Sequence, residues 1–386
     1  MLKLKGKYSE KDQKSLASIQ EMYSFQNKVA PYVISDVNYW LFGDLPENIP
    51  DGYCGDDPDV MFQFQIQKAQ EHYANEAYGN DCYIGFLMPW FGTGVLASGF
   101  GTKIEFLYKM DPAVHMSEIT RPEEINDLAM PDPYQSGIMP RVLRQIDYFR
   151  ENCDLPIGVT DCQGPLTTAF SIIGYENFCY WMYDYPDQIH KLMNLCTEAL
   201  IAWVKLQKKH IGAGGEAPCF ILGMRIPEDH GTVWISDDDA VLMPADLYRE
   251  FVKPYNERVL LAFGGGGIHY CGNANQHLKN YMDTKGLACI HHLHLDDFEH
   301  CMAARKACLD NGKVYYLCDF TPDDGRIDDY YDTVFRHIPQ QGMMVAPYTA
   351  PAIALMKGKY EAVARNRDVM GRYVRDVIER KRKLFL

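Results

Sequence analysis

Residues 264–295 read GGGGIHYCGNANQHLKNYMDTKGLACIHHLHL. Two apolar runs of strand length, 265–271 and 287–295, flank a stretch with helical patterning at 274–284. Both runs carry histidine and cysteine, with Cys271 and His294 at or next to their ends. Strand, helix and strand in that order make one β-α-β unit, whose strands lie parallel. The four glycines precede a strand and open no helix, so they read as a helix-to-strand connection with a C-cap glycine and not as a phosphate loop.

The same rhythm extends outward in both directions. Further strand candidates are 82–88, 156–161, 219–223, 232–236, 314–319 and 343–348. Helical patterns occupy 140–152, 175–211, 244–263, 297–311, 324–337 and 357–383. Pro244 sits at a first helical turn and Pro186 punctuates the 175–211 region. About eight such units in roughly 300 residues favour a closed (β/α)8 barrel over an open sheet. Residues 1–75 read as an N-terminal extension packed on the barrel: a polar helix capped by Ser9, then an irregular loop over 31–60. The barrel proper is expected over 76–386, as one catalytic domain.

Polar residues gather where such a barrel builds its active site. Asp161, Asp237, His269, Cys271, His292, His294, Cys318 and Asp319 all fall at or just beyond the C-terminal ends of predicted strands. Aspartate is also a common cap, but histidine and cysteine are not. His269 and Cys271 are two apart on a strand and share a face. Imidazole and thiolate form a zinc-suited pair that needs one or two further ligands. On the next strand His292 and His294 share one face and His291 takes the other; Cys318 ends the strand after that. The segment 158–178 places Asp161 and Gln163 before a Gly-Pro turn and a helix. The run 233–259 ends its strand in three aspartates, one of them able to hold substrate or orient a ligating histidine. The glycine- and aromatic-rich 86–102 is either a substrate-facing loop or a core-packing one.

The 386-residue chain is 47% hydrophobic and 23% charged, an ordinary globular composition. A net charge of -14 excludes a large positive field for nucleic acid and disfavours an anionic membrane surface. The twelve cysteines are scattered and contain no CxxC pair. The polar N-terminus lacks a signal core, and no apolar stretch is long enough to cross a bilayer. These features lead to the expectation of a reduced, cytoplasmic protein.

Several segments together resemble the uroporphyrinogen decarboxylase superfamily: Asp132-Pro133 after EEINDLAMP, then GPLTTAFSIIG, YPDQIHKLMNLCTEA, ISDDDAVLMPADLYREFVKPYNERV and IHYCGN, in that order. The arginine-rich N-terminal motif of the porphyrin decarboxylase is missing from residues 1–60. The chain instead resembles the corrinoid-dependent methyltransferase branch, of the methylcobamide:coenzyme M methyltransferase kind. That resemblance implies a zinc-assisted methyl transfer between a small methylated substrate or acceptor and a corrinoid (cobalamin) carried by a partner protein. It implies zinc on His269 and Cys271, with His292, His294 or Cys318 completing the shell. Asp161 and Asp237 would position substrate. The branch places a distant cysteine near the last strand, where this chain has Tyr348, an acid or an oxygen ligand in its stead. Barrels of this kind commonly dimerise. A metal-free decarboxylase, with Arg225 holding the carboxylate, and a non-catalytic binding barrel are the competing readings.

Overall fold

The computed structural model describes residues 1–33, 49–74, 82–108, 111–115, 119–212, 225–294, 297–320, 326–348 and 367–386; at His294, Asp319 and Tyr348 the description extends to the backbone only. The strands are β1 (Ile104–Glu105), β2 (Ala113–Val114), β3 (Val233–Ser236), β4 (Gly266–Cys271), β5 (Leu287–His294), β6 (Val314–Phe320) and β7 (Met343–Tyr348). The first two form a small antiparallel ribbon, and the other five form one sheet in the order β3-β4-β5-β6-β7, every pair parallel. Three single bridges continue it: Gln163 to Ser236, Leu87 to Ile157 on the β3 side, and Tyr32 to Val345 on the β7 side. Eight described segments therefore run parallel in barrel order, as a (β/α)8 fold requires. The expected strand at 219–223 lies outside the described residues. The segment around Tyr32, read from sequence as loop, donates from Val33 N to Val345 O at 3.0 Å and accepts from Val345 N at Pro31 O at 2.9 Å.

The helices follow from local chemistry. The 175–211 region divides into Tyr175–Asp184 and Pro186–Ile211 at the residue before the proline, where helical backbone is disfavoured. Pro186–Ile211 buries Ile189, Leu192, Met193, Cys196, Leu200, Trp203 and Val204, a stripe at three- and four-residue spacing. The 244–263 region likewise splits, into Ala245–Phe251 and Lys253–Ala262, because Pro254 cannot donate to the carbonyl four residues back. Ser9 does not cap the first helix. That helix spans Lys5–Tyr23, and the Ser9 hydroxyl bonds back to Gly6 O at 3.1 Å. Among the described residues no helix is long and apolar enough to cross a membrane.

The two faces of the sheet are distinguished by what they touch. Tyr270 reaches His300 at 3.0 Å, and His300 belongs to the covering helix Phe298–Asp310. The alternate residues Trp234, His269, His291 and Tyr316 therefore face the lumen. From the closing end of the first helix, the Tyr23 hydroxyl meets that of Tyr316 at 2.9 Å. Residues 86–102 resolve as core packing, with Trp90, Phe91, Val95, Leu96 and Ala97 all buried.

The glycine run serves the packing of β3 against β4. Gly265 has φ +121°, and a Cβ there would lie 2.6 Å from His230 O. A Cβ on Gly267 would stand 2.3 Å from the Trp234 indole. Gly267→Ala is expected to lower stability by about 1–3 kcal/mol, since a buried indole between packed strands has nowhere to move. Gly6→Ala, in the first helix with open space at its Cβ, is expected to raise it by about 0.5–1 kcal/mol. Urea midpoints of the two variants should move in opposite directions; a shared direction would contradict the packing described.

Candidate metal centre

β3 and β4 end side by side at the C-terminal rim. Their register pairs Ser236 with His269, and Asp237 N continues the ladder by donating to His269 O at 2.7 Å. The chain then turns into a short 3-10 helix, Asp238–Leu242, which swings the Asp238 carboxylate back over β4. His269 Nε2 lies 3.2 Å from Asp238 Oδ1 and 3.4 Å from Cys271 Sγ. The three donor atoms all lie within 4.8 Å of one another. His269 is buried, while Cys271 and Asp238 are partly exposed, the Asp238 side chain by 32%. The cluster thus backs into the protein through its imidazole and opens to the mouth through Cys271 and Asp238.

The arrangement fits a zinc ion. Bonds of about 2.0–2.3 Å in tetrahedral geometry put ligand atoms roughly 3.3–3.7 Å apart, close to the two shorter separations here. Carboxylate, imidazole and thiolate are all zinc donors, and three protein ligands leave a position for substrate, as in catalytic sites. Burial works against ionisation of Asp238, but the adjoining His269 and hydrogen bonds from His269 and Cys271 outweigh it and hold the carboxyl below its ordinary range.

The other sequence candidates fall elsewhere. His292 uses both nitrogens: Nε2 donates to Gly272 O at 2.9 Å, which leaves Nδ1 to accept from the Tyr315 hydroxyl at 3.0 Å. It pairs in register with Tyr270, stacks on it at 4.9 Å and so faces the helices. Cys318 is buried in the row Cys271, Leu293, Cys318. It shares the lumen face but stands two strands from Cys271, roughly 10 Å at ordinary strand spacing, and does not join the cluster. The side chains of His294 and Tyr348 lie outside the described residues. Arg225 is not at this rim, since its charge acts on Asp12 and Tyr73 against the first helix.

Two residues escaped the sequence reading. Asp238 is the middle member of an Asp-Asp-Asp run, and only the phase of the 3-10 turn selects it. His291 pairs with His269, so its ring lies on the lumen face, and Nδ1 meets His269 Nδ1 at 2.6 Å. Burial, with His269 and His292 adding to it, pushes His291 well below the ordinary histidine range, so it is neutral.

Asp161 and Asp237 flank the cluster in different ways. Asp161 is buried, and Gln163 Nε2 donates to its Oδ2 at 2.5 Å. Burial pushes this carboxyl up to about 7, opposed by the Gln163 hydrogen bond, reinforced by Asp238 and eased by His269. Asp237 is fully buried; its Oδ2 accepts from the Tyr248 hydroxyl at 2.6 Å and from Asn256 Nδ2 at 3.2 Å. That network anchors the turn carrying Asp238 and turns the Asp237 carboxyl inward, away from the mouth. Burial pushes it up to about 7 as well, with the Tyr248 bond opposing and Asp238 and Asp239 reinforcing.

Residues 54–314 match the uroporphyrinogen decarboxylase (URO-D) family, well over half of the chain. The chain belongs to that family. Among URO-D relatives, it is 30% identical over 213 residues to the methylated-thiol–coenzyme M methyltransferase of Methanosarcina mazei. That alignment covers 54% of this chain and 52% of the other, so the chain spans about half the length of the curated relative it matches. A solved methyltransferase from Methanosarcina mazei has the same fold, with a TM-score of 0.63 at 20% identity, covering 92% of this chain and 98% of that one.

The two raised carboxyls set a pH dependence for the metal-free URO-D chain. An unfolded aspartate titrates near 3.9. Between about pH 4 and 7 the folded state therefore binds more protons than the unfolded state, and stability falls as pH rises through that window. Asp161 alone contributes on the order of 4 kcal/mol to this decline. Asp161→Asn should flatten the fall in urea midpoint between pH 5 and pH 8, and parallel profiles for variant and wild type would refute the assignment.

Proposed function

We propose that this chain is a methyltransferase whose zinc centre is formed by Asp238, His269 and Cys271. It would move a methyl group between a small methylated substrate or acceptor and a corrinoid carried by a partner protein. The observation that carries the reading is the three-atom donor cluster at the barrel mouth. The similarity to a methylated-thiol–coenzyme M methyltransferase supports methyl transfer as the reaction class. The zinc would supply Lewis acidity to the atom that loses or accepts methyl.

The protein's own residues supply the rest. Asp238 and Cys271 bring two negative charges that balance a dication, and His269 adds a neutral donor from the buried side. Asp161, poised near neutrality beside the cluster, would hold or release a proton at Oδ1, the oxygen Gln163 leaves untaken. Asp237, Tyr248 and Asn256 would keep the Asp238 turn in place. The partly exposed Cys271–Asp238 edge gives a methyl-bearing partner its line of approach. Tyr348 ends β7 at the same rim and is proposed to serve there as an acid or an oxygen ligand.

Metal analysis is the decisive experiment. Purified protein should carry about one zinc per chain, lost in His269→Ala and Cys271→Ala, weakened in Asp238→Asn and retained in Cys318→Ser. Demethylation of methylcobalamin by a small thiol, followed by its absorbance change, should disappear with the metal. Wild-type protein that neither holds zinc nor takes it up on titration would sink this mechanism.

A further inference from the structure

His291 is buried, ionisable and absent from the cluster of donors, yet it makes the closest contact to it. Resting on the zinc reading above, we propose that His291 is the positioning residue of the centre. With zinc bound it accepts a hydrogen bond from His269 Nδ1–H and thereby holds the tautomer whose Nε2 lone pair is free for the metal.

The geometry sets the roles. His269 and His291 are paired in register on adjacent parallel strands, so the contact between their rings is imposed by the ladder and not by a loop. Their Nδ1 atoms are 2.6 Å apart, a distance at which one must donate and the other accept. A nitrogen that binds a metal offers its lone pair, so Nε2 of His269 carries no proton and Nδ1 does. His291 must then accept at Nδ1 and hold its own proton at Nε2. That Nε2 is buried without a hydrogen-bond partner among the described residues, a cost the protein bears at this position and at neither neighbouring histidine, His269 or His292. His291 cannot turn away to relieve it. Its ring is set edge-on against Trp234 at 6.3 Å and Tyr316 at 6.4 Å, and those two rings brace each other at 5.4 Å. His291 is not itself a ligand, because its Nδ1 addresses the side of the His269 ring opposite the donor cluster.

The test uses zinc and the full chain. Zinc affinity is measured by competition with a chelator for wild type, His291→Phe and His291→Gln, with urea midpoints of the zinc-free proteins beside them. His291→Phe keeps a ring but offers no acceptor, and zinc binding should weaken about 10- to 100-fold at a midpoint near wild type. His291→Gln can accept through its amide oxygen and should recover most of the affinity. Nitrogen-15 spectra of the histidines in zinc-loaded wild type should show His269 protonated at Nδ1, a readout that needs no variant to fold. Unchanged affinity in folded His291→Phe, or a His269 protonated at Nε2, overturns the proposal while leaving the zinc centre standing. Wild type that binds no zinc overturns the centre itself, and the two failures are therefore distinct.

Discussion

The alignment of β3, β4 and β5 is the constraint on which the site depends. In parallel strands a register shift of one residue exchanges the two faces. Ser236, His269, His291 and Tyr316 stand in one row across four strands. A slip of β5 by one position would bring His292 beside His269 and send His291 to the helices. The row is held because the Trp234 indole occupies space that any side chain on Gly267 would fill. The apolar packing at the base of the strands thus determines which imidazole backs the donor cluster at their tips.

Much of the architecture was legible because strand and helix periods differ and prolines mark their ends. Pro186 and Pro254 divide helical regions by removing a donor, and β4 to β7 stand within a residue or so of where apolar runs placed them. The resemblance carried in GPLTTAFSIIG and IHYCGN was legible too, and the family match bears it out. What sequence could not supply was register and turn phase. His291 and His292 are adjacent and chemically identical, so only pairing with β4 tells which is lumenal. Asp237 and Asp238 differ only in where a 3-10 turn points them: one meets Tyr248 in the interior, the other His269 at the rim. The apolar run VAPYVI around Tyr32 is interrupted by Pro31 and followed by a stretch rich in Pro, Gly and Asp, so it read as loop.

Charge at the rim is arranged by depth. Asp237 and Asp161 are buried and drawn toward the protonated form, whereas Asp238, half open to the mouth and beside His269, stays ionised. Three carboxyls close together are tolerable because only one of them must be charged near neutrality. The anionic character is thereby concentrated at the atom that faces His269 and Cys271.

The seam between the Tyr32 segment and β7 bears on how the chain is made. Asn27 Nδ2 donates to Gln340 O at 2.8 Å across 313 residues, and Arg382 Nη1 donates to Ala30 O across 352. Contacts of such separation close late, after the loop entropy between them has been met by everything in the interval. During synthesis the first helix and the Tyr32 segment therefore emerge long before their partners exist. Tyr23 stays uncovered until Tyr316 of β6 arrives, and Tyr32 waits longer still, for β7.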